Sequence, residues 1–131
     1  MTATAKTTKR IDDLHFDHQL WLSETKFFRD ELAIYQNRLS EVASKYTVSD
    51  VLKQIEHFQN QFIIQKNELD IITHLTNEHE QWLTNYAKAH PVAIDHVEFA
   101  NHVVLEDKMV MFKKLYTELK HDFLKFLSAN M

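Results

Sequence analysis

Apolar residues recur along this chain at alternating steps of three and four. The first series is Ile11, Leu14, His18, Trp21, Thr25, Phe28, Leu32, Tyr35, Leu39, Val42 and Tyr46. The second is Val51, Ile55, Phe58, Phe62, Gln65, Leu69, Ile72, Thr76, His79, Leu83 and Tyr86. The third is Asp95, Glu98, His102, Leu105, Met109, Phe112, Tyr116, Leu119, Phe123 and Phe126. A step averaging 3.5 residues keeps one stripe turned toward a neighbouring helix. The pattern predicts three long helices, about 9–46, 49–89 and 92–128. They are expected to form a rod-like antiparallel all-α bundle with heptad-like packing, each helix ~50–60 Å long at 1.5 Å per residue.

The breaks between these segments have their own chemistry. Thr47-Val48-Ser49-Asp50 has the spacing of a capping box, with Ser49 as the alternative N-cap. Either choice leaves about two to four linking residues, which forces a hairpin. The second break is Ala89-His90-Pro91, because the residue before proline is pushed out of the helical region. The third helix then starts at Pro91 or is capped by Asp95. Residues 1–8 read as a disordered lead-in without a secretory signal, and 9–131 as a single bundle domain.

Composition sharpens what this architecture can do. The chain has 131 residues, no glycine and no cysteine. Without glycine there is no phosphate-cradling loop, dinucleotide fingerprint or nucleophile elbow, since each needs backbone geometry that glycine supplies. Without cysteine there are no disulfides, thiolate metal sites or cysteine nucleophiles. A net charge of −4 argues against nucleic-acid binding, which needs a positive field. No apolar run approaches the ~18 residues of a membrane span. A cytoplasmic protein is the expectation, with no nucleic-acid or membrane partner.

A second apolar stripe lies off the main one. It comprises Leu20, Phe27 and Ile34; Ile64, Ile71, Leu75 and Trp82; and Val97, Val104 and Met111. A slender bundle leaves such residues in water, and burying each is worth roughly 1.5–3 kcal/mol. Apolar surface of this kind marks an interface. The leading expectation is therefore a non-enzymatic bundle that works by homo-oligomerisation or by offering a helix face to a protein partner, without a cofactor.

The alternative expectation comes from the polar residues in the main stripe. The chain has 9 His. With short hairpins, His79 lies level with roughly residue 16 in the first helix and roughly residue 104 in the third. That brings His79 near His18 and His102, with His15 and Glu98 one turn away. Imidazole and carboxylate converging inside a helical bundle suit a divalent metal, iron or zinc. The competing structural account is a satisfied polar layer that sets register. The paired Glu-x-x-His motifs of di-iron bundles are absent: only Glu118-Leu119-Lys120-His121 has the spacing, and it lies off the stripe.

Overall fold

The computed structural model describes residues 11–89 and 100–130. These form three α-helices packed against one another: α1, Ile11–Ala43; α2, Ser49–Ala89; and α3, Ala100–Asn130. They are 33, 41 and 31 residues long. No described residue takes a positive φ, so these helices and the α1–α2 connection need no glycine. The tail at 1–8 and the predicted start of the third helix fall outside the described residues.

The buried side chains follow the stripes read from the sequence. In α1 they are Leu14, His18, Trp21, Thr25, Leu32, Tyr35, Leu39 and Val42. In α2 they are Ile55, Phe58, Phe62, Gln65, Leu69, Ile72, Thr76 and Leu83. In α3 the steps run His102, Leu105, Met109, Phe112, Tyr116, Leu119, Phe123 and Phe126. Two polar members are satisfied within their own helix, as a hydroxyl one turn on allows. The Thr25 hydroxyl donates to the Leu22 carbonyl at 2.9 Å, and that of Thr76 to the Ile72 carbonyl at 2.7 Å.

α1 stops at Ala43, short of the expected Tyr46. The Ser44 hydroxyl donates to the Glu41 carbonyl at 2.7 Å, and the Lys45 amide bonds back only three residues, to Val42, at 3.0 Å. Tightening of this kind takes up carbonyls left open at a helix end. Tyr46 is freed from the helix, and its hydroxyl donates to the Asn130 carbonyl at 2.7 Å. α2 begins at Ser49, as expected, with Asp50 in its positively polarised first turn.

The chain divides into two compact units, each drawing on all three helices. One takes in the chain up to Thr25 together with Ile71–Val110. Leu14 and Leu83 form an apolar core in it, covered by Ile11, Tyr86 and Val103. The other takes in Lys26–Asp70 and Met111–Met131. Its core is aromatic: Phe62 meets Phe123 edge-on at 4.9 Å, and Phe58 meets Phe123 the same way at 5.3 Å. Edge-to-face pairs of this kind add about 0.5–1.5 kcal/mol beyond area burial. At the edge of this core Glu31 accepts hydrogen bonds from the Tyr116 hydroxyl at 2.6 Å and the Lys120 ammonium at 3.1 Å. Burial and the Glu31 carboxylate push the Tyr116 hydroxyl up, so it remains a donor.

Candidate metal centre

Besides Thr25 and Thr76, the first unit carries histidines at polar stripe positions, one from each helix. His18 on α1 and His102 on α3 are fully enclosed, and His79 on α2 is half-buried. One ring nitrogen from each of the three lies within 4.8 Å of the other two. The ring centroids are 4.9 Å apart for His18 and His79, 5.2 Å for His18 and His102, and 5.7 Å for His79 and His102.

Hydrogen bonding assigns the protons. His18 Nδ1 lies 2.7 Å from Glu80 Oε1, and His102 Nε2 lies 3.0 Å from Asp17 Oδ2. A carboxylate accepts, so in the neutral rings these nitrogens carry the N–H. The remaining nitrogens, His18 Nε2 and His102 Nδ1, face each other at 3.3 Å. In those tautomers both present lone pairs, and two lone pairs do not bond. A shared proton or a cation between them would satisfy both.

His79 adds a third donor atom. Its Nε2 is buried and has no hydrogen-bond partner. Burial is the largest influence on its ring, followed by the neighbouring His18 and His102. Together they bring its pKa down to about 4 against the opposing pull of Glu80. The ring is therefore neutral at pH 7, which is the form that binds metal. Two indoles frame the cluster: Trp21 lies 4.8 Å from His102, and Trp82 stacks on His79 at 5.6 Å with only 6° between the planes.

Of the residues singled out in the sequence, His18, His79 and His102 come together. His15 is not among the three. It is exposed, and its Nδ1 lies 2.5 Å from Glu80 Oε2, the second oxygen of the carboxylate that holds His18. Glu98 and Val97 lie outside the described residues. Glu118 and His121 are both exposed. Sequence reasoning missed Glu80 and Asp17. Each directly adjoins a stripe histidine, His79 or His18, but serves a ring on another helix. An acidic residue beside a core histidine was the available signal.

On the second stripe, Leu20, Phe27 and Ile34 are exposed on α1, Ile64, Ile71 and Trp82 on α2, and Val104 and Met111 on α3. Leu75 is half-buried and lines a cavity. Phe16, Ile63 and Val110 are also exposed, although the stripe did not include them. Among the described residues no helix is long and apolar enough to cross a membrane. In comparisons with protein-family models, curated proteins and solved structures, nothing matches this chain.

Proposed function

We propose that this chain is a metal-binding helical bundle in which His18, His79 and His102 hold one divalent transition-metal ion, zinc or iron. The observation that carries the reading is the pair of facing nitrogens on His18 and His102, 3.3 Å apart, beside the unpartnered Nε2 of His79. Nitrogens bound to zinc at ~2.0–2.1 Å in a tetrahedron lie roughly 3.3 Å from each other. The His18–His102 separation already has that value. His79, whose ligand atom lies within 4.8 Å of the other two, closes the set by a small inward movement, and its Nε2 has no hydrogen bond to break.

The outer partners support the same reading. Metal-bound histidines commonly give their other N–H to a carboxylate, which fixes the tautomer and raises ligand basicity. Glu80 and Asp17 stand in those positions for His18 and His102. An all-nitrogen set suits zinc, iron, copper or nickel and disfavours magnesium and calcium, which take oxygen.

The test is calorimetric titration of metal-stripped, untagged protein with zinc. The expected result is one ion per chain with a Kd below roughly 1 µM, equivalent to about −8 kcal/mol. His79→Ala should weaken binding at least tenfold. Heat no greater than that of dilution would mean that a shared proton, not a cation, bridges His18 and His102.

A second reading concerns the outer surface. Leu20, Phe27 and Ile34 sit seven residues apart on α1 and are 45%, 57% and 58% exposed. That regular apolar stripe favours self-association into a homo-oligomer, or docking of a helix from a protein partner.

A further inference from the structure

The histidine cluster borders open space on one side. A cavity of about 370 Å³ is lined by Leu75, Glu78, His79 and Trp82 of α2 and by Val104 and Leu105 of α3. His79 is the one residue that belongs both to the cluster and to the cavity wall. His18 and His102 are closed off from solvent, and their outer nitrogens are held by Glu80 and Asp17. An ion between the three rings is thus enclosed on the side of His18 and His102 and less covered on the side of His79.

Three protein ligands leave a tetrahedral ion one coordination position short. Sites of this type keep that position for water or substrate. Among the described residues no fourth histidine or carboxylate joins the cluster. Glu80 and Asp17 are already engaged with imidazole N–H groups.

Resting on the metal reading above, we propose that the fourth position is exchangeable and opens onto this cavity, where it takes a small neutral donor molecule. The size and lining of the cavity set the ligand class. About 370 Å³ is at the low end of small-molecule pockets. Leu75, Trp82, Val104 and Leu105 make its walls apolar, and among the described residues the one charged group in the lining is the Glu78 carboxylate. The two positive charges of the ion are matched by the Glu80 and Asp17 carboxylates on the outer ring nitrogens, so the Glu78 carboxylate and the apolar walls tip the position toward an uncharged ligand over an anion.

Cobalt(II) reports the coordination directly through its visible d–d bands. Metal-stripped protein is loaded with cobalt, desalted and titrated with imidazole, a small neutral donor. A saturable change in the bands is expected, with cobalt retained on a second desalting. Azide, a small anion, should bind at least tenfold more weakly. Val104→Trp, which fills the cavity, should weaken imidazole binding at least tenfold and leave cobalt affinity within about twofold. Leu75→Trp serves the same purpose from α2 if Val104→Trp loses helical circular dichroism.

Bands that do not respond to imidazole would overturn the exchangeable position while leaving the metal site in place. Unchanged imidazole affinity in a folded cavity-filling variant would overturn the assigned route, and azide binding as tight as imidazole would overturn the neutral class. Failure of cobalt to bind at all would overturn the metal reading itself, and this inference with it.

Discussion

His18 and His102 face each other through ring nitrogens 3.3 Å apart, while the opposite nitrogen of each ring is held by a carboxylate, Glu80 or Asp17. This arrangement has an electrostatic consequence. Each carboxylate keeps the proton on the outer side of its ring, so electron density accumulates where the two rings meet. Facing lone pairs would accept positive charge at that point, and the unpartnered nitrogen of His79 belongs to the same cluster.

The carboxylates should therefore govern affinity without touching the ion. Asp17→Asn and Glu80→Gln keep the shape of each side chain but remove the charge and loosen the choice of tautomer. Each is expected to weaken zinc binding about 10–100-fold while preserving helical circular dichroism. Zinc affinity unchanged within twofold in both variants would show that these pairs are only structural.

The metal-free protein should lose stability on acidification. His79 titrates at about 4 in the folded chain, against 6.5 for an unperturbed imidazole. Between those values the unfolded chain binds the proton and the folded one does not, so falling pH favours unfolding. Stability linked to His79 is complete above pH 6.5 and is lost progressively as pH falls toward 4. The loss is on the order of 1–2 kcal/mol after discounting for solvent screening at a half-buried ring. Thermal melts of metal-free protein from pH 7.5 to 4 should show a falling Tm, and His79→Gln should flatten the curve. A wild-type Tm that stays level over that range would refute the assignment.

The outer stripe makes a separate prediction. Phe27→Glu together with Ile71→Glu places charge on two exposed apolar positions. If the chain self-associates through these exposed apolar positions, the double variant should scatter light as a single chain while the parent scatters as two or more, with helicity unchanged. Equal masses for the two would remove this surface from the account.

Much of the fold was legible because burial in these helices follows a single periodic rule. Positions such as Leu14, Phe62 and Phe123 could be assigned to the core from spacing alone, and the start of α2 to within a residue from its polar cluster, although the Leu52 amide bonds to the Val48 carbonyl and so makes Val48 the cap in place of Thr47 or Ser49. The histidine trio was legible for the same reason: three polar rings occupied stripe positions. The carboxylates were not, because Glu80 and Asp17 lie off the stripe and reach inward across helices, a matter of side-chain direction that a linear pattern does not carry. His15 has the spacing of a ligand beside His18, yet its Nδ1 lies on the second oxygen of Glu80, outside the cluster of three. The end of α1 escaped because the Ser44 hydroxyl and the Lys45 amide close it through local bonds to the Glu41 and Val42 carbonyls rather than through glycine or proline.

The most direct test of the central claim is the metal content of untagged protein, measured by elemental analysis after incubation with excess zinc or iron(II) and desalting. The account predicts close to one ion per chain in the parent and close to none in a His18→Ala, His102→Ala double variant that retains its helicity. No retained ion in the parent, or equal retention by the double variant, would contradict it.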